Sequence, residues 1–245
     1  MNVIETRALG KRYRRGWALR DCTLDIPGGH IAALVGPNGA GKTTLLTMAV
    51  GLTKPTAGAL TVLGGEPPGS PRALDLTGFV AQDAPLYRNL PVADMLHVAR
   101  NLNRRWDQRR AEHRLEQLEI PLRQKVGELS GGQKAQLALT IALARRPALL
   151  VLDEPLAALD PVAREDFLAA VVAAAAGDGI SVVLSSHVLA ELERVATYLI
   201  VLTRGQVRVS GTVRELLATH GAGLEEIALR CLRAGLPSSR TEAGQ

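Results

Sequence analysis

The first third of the chain alternates apolar and polar residues. "VIETRAL" (3–9) and "WALRDCTLDI" (17–26) place an apolar side chain at about every second position, the period of a strand with one buried face. "HIAALV" (30–35) is apolar nearly throughout and stops at a glycine-rich turn, which predicts a short buried strand. In "KTTLLTMAVGL" the spacing becomes helical. "ALTVLG" and "LTGFVAQ" then predict two more short strands joined by Gly/Pro-rich connections.

From Pro91 to about Ala144 the pattern is helical and charged, centred on "ARNLNRRWDQRRAEHRLEQLEI". This predicts a helical subdomain inserted into an α/β framework, its arginines forming a solvated face with i,i+4 pairs. The α/β rhythm then returns. "ALLVL" and "ISVVLSSH" predict buried strands, and "PVAREDFLAAVVAAAA" predicts a helix with Asp160 as N-cap and Pro161 in its first turn. "SSHVLAELERVA" is expected to lead into another helix, and "YLIVL" with "GQVRVSG" to form a final hairpin. "TVRELLATH" opens with a capping box, Thr212 with Glu215, and "GLEEIALRCL" predicts the last helix. The tail 235–245 reads as disordered.

Composition refines this picture. Of 245 residues 47% are hydrophobic but only 3% aromatic, so the core must be built from Ala, Val, Leu and Ile. A net charge of +5 suits nucleic acid, an anionic membrane surface or polyphosphate, and selects none of them. Cys22 and Cys231 lack metal-ligand spacing and read as reduced thiols. No apolar stretch follows the basic residues near the N-terminus, so no secretory signal is expected there. The longest apolar run, "FLAAVVAAAA", is far shorter than the roughly 20 residues that span a bilayer. A soluble chain is expected, one that would serve a membrane from its surface.

The candidate chemistry begins at "GPNGAGKTT", Gly36 to Thr44, which follows a predicted strand and opens a predicted helix. Gly36, Gly39 and Gly41 let backbone amides turn toward phosphate oxygens around Pro37, Asn38 and Ala40. Lys42 can reach the β- and γ-phosphates, the Thr43 hydroxyl can ligate Mg²⁺, and Thr44 completes the helix start. "ALLVLDEP" supplies a metal partner at a second strand end: Asp153 facing Mg²⁺ through a water, and Glu154 positioned to deprotonate an attacking water. A second glycine loop, "GELSGGQKAQ" (127–136), also opens a helix and on its own reads as another phosphate cradle.

Together these motifs resemble the nucleotide-binding subunits of ABC transporters. "LSGGQ" is similar to that family's signature motif, and it lies between the phosphate loop and "LLVLDEP" in the family's order. The resemblance covers the chain from the Tyr13 region to about Leu232. It implies an α/β fold with a P-loop NTPase core, an antiparallel β lobe and an inserted helical subdomain. One domain over 1–234 is expected: 1–84 and 145–211 as core and β lobe, 85–144 as helical subdomain, 212–234 as C-terminal helices.

It further implies that Tyr13 stacks on adenine and that Gln82 contacts Mg²⁺ and the attacking water. His187 would touch the γ-phosphate, and Asp160 would belong to a loop crossing to a second subunit. Leu129, Ser130, Gly131, Gly132 and Gln133 would close over the ATP held by a partner, in a homodimer or a pair with a second ATPase subunit. ATP and Mg²⁺ are the implied ligands. The implied partner is an integral membrane permease, and the implied location is the cytoplasmic face of the cell membrane. After "LSGGQ" the chain reads "KAQLAL", where many members place Gln-Arg and further basic residues, a departure that bears on subfamily. The stretch from "RWDQRR" to "ALARRP" is most similar to drug- and polysaccharide-type exporters, so export is expected. The alternatives are a soluble ATPase acting on nucleic acid or ribosomes, for which the arginines and charge leave room, and a regulator that binds ATP without hydrolysing it. Without the family's DNA-repair coiled coils or a second cassette, no nucleic-acid partner is expected.

Overall fold

A computed structural model describes residues 1–83, 85–157 and 159–234; the expected disordered tail, 235–245, lies outside the described residues. Strands β1 (Asn2–Tyr13) and β2 (Gly16–Pro27) pair antiparallel through the turn at Arg14–Arg15, and β4 (Ala57–Val62) pairs antiparallel with the other edge of β1. Five parallel strands build a second sheet: β3 (Ile31–Val35), β5 (Thr77–Val80), β6 (Leu149–Leu152), β7 (Ser181–Ser186) and β8 (Tyr198–Thr203). β9 (Gln206–Thr212) returns antiparallel to β8, and the spatial order is β5-β6-β7-β3-β8-β9.

This order explains why the central strands are apolar throughout. Ile31, Ala33 and Val35 of β3 face one apolar layer, while Ala32 and Leu34 face another. Leu150 and Leu152 of β6 divide from Leu149 and Val151 in the same way. A strand covered on both faces has no solvent side to encode. The first layer is closed by helices α5 (Gly131–Ala144), α6 (Pro161–Asp178), α7 (Val213–His220) and α8 (Leu224–Ala234). The second is closed by α1 (Lys42–Ala49) and the three-stranded sheet.

A third apolar cluster joins α3 (Val92–Leu102) and α4 (Gln108–Gln117) to one side of α5, through Val92, Leu96, Leu115 and Leu137. The other side of α5, Ala138, Leu139, Ala142 and Leu143, packs on the parallel sheet. That double burial accounts for a helix apolar on nearly every side. Deleting Leu137 to Ala removes a fully buried side chain and should cost about 2–5 kcal/mol.

Three elements differ from the sequence reading. A short helix, α2 (Pro71–Leu76), occupies the Gly/Pro-rich connection before β5; Ser70 caps it by accepting from Ala73 N–H at 3.1 Å, and Pro71 is its first residue. The stretch after His187 forms a single 3₁₀ turn, Leu189–Glu191, instead of an α-helix. There the Ser186 hydroxyl accepts the Val188 N–H at 2.9 Å, a local bond that competes with helix initiation. Finally, the arginines pair over long range. Arg110 binds Asp178 at the end of α6, Arg146 binds Asp107, and Arg114 donates to Gln136 and Thr140 of α5 at 2.6 and 3.1 Å. These contacts anchor α4 to its neighbours. Among the described residues, no helix is long and apolar enough to cross a membrane.

Candidate functional site

The site is assembled by the carboxyl ends of adjacent parallel strands, where α/β ligands bind. β3 runs into the loop Gly36–Gly41 and then α1, β6 into Asp153 and Glu154, and β7 into His187. These three strands are neighbours in the order β6-β7-β3, and β5, beside β6, leads to Gln82.

The loop needs its glycines for two different reasons. A Cβ at Gly36 would stand 2.1 Å from the Leu202 carbonyl oxygen of β8, so no side chain fits there. Gly41 has φ 106°, in the left-handed region that favours glycine, and precedes α1 with no side-chain cap. The first amides of α1 therefore have neither an intrahelical acceptor nor a side-chain acceptor from this chain, and they carry the positive end of the helix dipole.

Lys42 is 5% exposed, and its ammonium donates to the Gly36 carbonyl at 2.7 Å and the Pro37 carbonyl at 3.3 Å. It also pairs with Glu154 Oε1 at 3.0 Å. The other Glu154 oxygen lies 2.7 Å from His187 Nδ1. Burial alone would raise the Glu154 carboxyl, but the His187 and Lys42 contacts outweigh it and hold the group below its ordinary value. Glu154 therefore stays ionised at neutral pH. Its backbone is in the left-handed region, φ 49°, an uncommon conformation for a residue with a Cβ and one concentrated at functional sites.

Ser185 was not marked by the sequence reading. Its hydroxyl donates to Asp153 Oδ1 at 2.7 Å and accepts the Glu154 N–H at 2.8 Å, fixing both acids. The available signal was two serines ending the apolar run "VVLSS" just before His187: a hydroxyl buried at a strand end needs a partner. Asp153 is 2% exposed, beneath the cleft.

A cleft of about 540 Å³ brings together Tyr13, the residues from Asn38 through Thr44, Gln82, Glu154 and His187. That size lies within the range of about 300–1,000 Å³ typical of small-molecule sites. Gly36 and Pro37 stand behind it and hold Lys42 through their carbonyls. Tyr13, half exposed at the end of β1, closes one side beneath the Lys11 ammonium, 5.2 Å from its ring centroid. Thr43, Gln82 and Asp153 offer hydroxyl, carbonyl and carboxylate oxygens, the hard donors that suit Mg²⁺.

The other predicted residues lie elsewhere. Ser130 caps α5 with a complete capping box: its hydroxyl accepts from Gln133 N–H at 3.1 Å, and Gln133 Oε1 accepts from Ser130 N–H at 2.9 Å. The Gly131 and Gly132 amides, first in the helix, have no intrahelical acceptor. Leu129 is buried in the third apolar cluster and anchors the loop. Asp160 caps α6, accepting from Ala163 N–H at 2.9 Å, and it lines a separate cleft of about 370 Å³ with Ser130, Gly132 and Gln133. The two clefts share no lining residue.

A family profile described as ABC transporter matches residues 19–157. The lantibiotic transport ATP-binding protein SrtF of Streptococcus pyogenes is 31% identical over 215 residues, covering 84% of this chain and 89% of that protein. The Fe(3+) ions import ATP-binding protein FbpC of Mesorhizobium japonicum is 35% identical over 230 residues, covering 88% of this chain and 62% of that protein. Among solved structures, an ATP-binding subunit of an ABC transporter superposes with TM-score 0.82 at 28% identity, covering 94% of this chain and 99% of that one. The dimeric bacterial ABC transporter cassette MJ0796 superposes with TM-score 0.75 at 26% identity, covering 86% and 99%. A structure of the same cassette in a post-hydrolysis state bound to ADP and Pi gives TM-score 0.75 at 25% identity, again over 86% and 99%.

Proposed function

The chain belongs to the ABC transporter family as an ATP-binding, ATP-hydrolysing motor subunit, and we propose that two copies close over two ATP molecules to drive export through a separate membrane permease. The observation that carries this reading is the convergence of Lys42 and His187, at 3.0 and 2.7 Å, on the ionised carboxylate of Glu154 at the cleft. A general base, a phosphate-binding cation and an orienting imidazole thus sit together at the end of a P-loop.

That geometry and the family resemblance support the following roles. The loop amides and Lys42 bind the phosphates, and a phosphate drawn to Lys42 competes with Glu154 for the same ammonium. Glu154 accepts the proton of the attacking water. His187, tied to Glu154, orients the base and reaches the terminal phosphate. Tyr13 stacks on the adenine. Thr43, Asp153 and Gln82 would hold Mg²⁺, which when bound would neutralise charge developing on the phosphate oxygens. Ser130, Gly131 and Gly132 lie apart from their own chain's cleft, which supports their closing over the nucleotide of a partner, with Asp160 beside them at the same junction. The permease partner and a position on the cytoplasmic membrane face follow from the family. Export rests on the resemblance of the stretch from "RWDQRR" to "ALARRP" to exporter subunits; the relatives include both a lantibiotic transport subunit and an iron-import one. The nucleic-acid alternative loses support because Arg110, Arg114 and Arg146 are engaged in contacts within the chain.

Replacing Glu154 by Gln tests the reading. Turnover should fall by about a hundred-fold or more, with an ATP-bound dimer accumulating in size-exclusion chromatography. Hydrolysis at the parent rate would sink the assignment of the base.

A further inference from the structure

An ion pair beyond the nucleotide cleft lies between the turn that follows His187 and the first turn of α6. Arg164, in the first turn of α6, donates from one guanidinium nitrogen to Glu191 Oε1 at 2.7 Å. Glu191 lies in the 3₁₀ turn that follows His187, and its other oxygen is 3.4 Å from the Ser186 hydroxyl. That hydroxyl accepts the Val188 N–H at 2.9 Å and lies 3.1 Å from the Val188 carbonyl oxygen, so Ser186 and Glu191 bracket the backbone on both sides of His187. The pair is partly shielded, with side chains 35% and 17% exposed, and Arg164 Nε is buried without an acceptor. An unmet donor is a cost, which marks this arginine as held by its contact with Glu191 rather than by a full set of hydrogen bonds.

On the other side of the pair, Arg164 stands one residue from the place where α6 packs against the signature loop. Arg164 N–H donates to the Asp160 carbonyl at 3.0 Å. Its neighbour Ala163 packs so closely on the signature loop that a Cβ at Gly132 would stand 3.0 Å from the Ala163 Cβ. A continuous path of contacts therefore runs from Gly132 through the first turn of α6 to Arg164, Glu191, the turn around His187 and Glu154.

We propose that Arg164 and Glu191 are positioning residues that hold the His187 turn in register with α6, so that movement of the signature face alters the set of His187 against Glu154. One subunit would thereby couple the nucleotide it shares through its signature loop to the nucleotide in its own cleft. This rests on the roles proposed above for His187 and Glu154. A link of this kind carries coupling only if both ends bias the same element, and the element here is the 3₁₀ turn.

The test uses the full chain and the variants Arg164→Ala, Glu191→Ala, Glu191→Gln and the double Ala variant. His187→Ala probes the underlying reading, and Leu102→Ala, exposed at the end of α3, serves as control. We expect kcat to fall about ten-fold or more in the Arg164 and Glu191 variants, as misplacement of a catalytic group does, with KM changed by less than about two-fold. The double variant should lose no more than either single one. The proton–nitrogen NMR signature of the His187 ring in the nucleotide-free chain should shift in Glu191→Ala and Glu191→Gln and stay put in Leu102→Ala. A turnover loss that only tracks a lowered Tm, an unmoved His187 signal, or fully additive losses would each overturn the link. If His187→Ala is inactive while the Arg164 and Glu191 variants match the parent, the link alone fails. If His187→Ala itself retains the parent rate, the functional reading fails as well.

Discussion

The two glycine loops begin helices of the same sheet-and-helix framework, yet they are finished differently. At α1 the residue before the helix is a left-handed glycine with no side chain to offer, and no side chain caps the first amides. At α5 the residue before the helix is Ser130, and the capping box with Gln133 satisfies that helix end from within the chain. An uncapped helix start beside a buried lysine is incomplete until an anion arrives. A self-capped start is already stable and leaves only its Gly131 and Gly132 amides free. The first loop is built to be filled from its own cleft, the second to be presented to another molecule.

Removing the charge or blocking the surface separates the loops most strongly. Lys42→Ala should weaken ATP binding to the monomer by about a hundred-fold, the worth of one strong charge-assisted contact. Ser130→Arg should leave that affinity within about three-fold while abolishing dimer closure and hydrolysis. Equilibrium binding of a fluorescent ATP analogue, beside light scattering, reads both. Loss of monomer binding in Ser130→Arg would erase the distinction. The new side chain also removes the cap, so a loss of about 1 kcal/mol in stability is expected and should be measured alongside.

A smaller contrast lies in the glycines themselves. Gly36→Ala drives a Cβ to 2.1 Å from a backbone oxygen and should destabilise the fold by about 3 kcal/mol. Gly132→Ala meets only the Ala163 methyl at 3.0 Å, inside a helix where Ala is favoured over Gly by about 1 kcal/mol. It should leave stability nearly unchanged while lowering hydrolysis. Urea unfolding decides, and equal losses at both positions would contradict the picture.

The smallest effect is expected from acid. Hydrogen bonds from Arg110 and Arg146 hold the Asp178 and Asp107 carboxyls below their ordinary values. A carboxyl depressed in the folded state contributes stability that is present above its unfolded pKa and lost as pH falls through the folded one. Both pairs anchor α4, which packs on α5, so the signature side should loosen first as pH drops below about 4. Asp178→Asn should flatten the dependence of Tm on pH in that range. A slope identical to the parent's would show that the pair contributes nothing.

Much of this was legible in the chain itself. Period-two alternation marked β1 and β2 as strands, though not their pairing, apolar runs marked the doubly covered strands, and "GPNGAGKTT" and "LLVLDEP" marked Lys42, Asp153 and Glu154, because glycine spacing and strand-end acids are local requirements. α2 was not legible, since its Pro and Ser also fit a loop. Nor was the 3₁₀ turn after His187, where one hydroxyl outweighs a helical apolar spacing. The arginines of α4 looked like a surface pattern because their acceptors, Asp178 and Gln136, are distant in sequence.

The two loops show where that boundary falls. Local pattern in the chain already set each glycine loop at the start of a helix and gave one of them a lysine, for these depend on neighbours within a few residues. Long-range packing alone brings the lysine and His187 together on Glu154 and sets Ser130 along a separate cleft that Asp160 also lines. Those partners are brought together by the strand order β6-β7-β3 and by the packing of α5 on α6, contacts between residues far apart in the chain that no local pattern encodes.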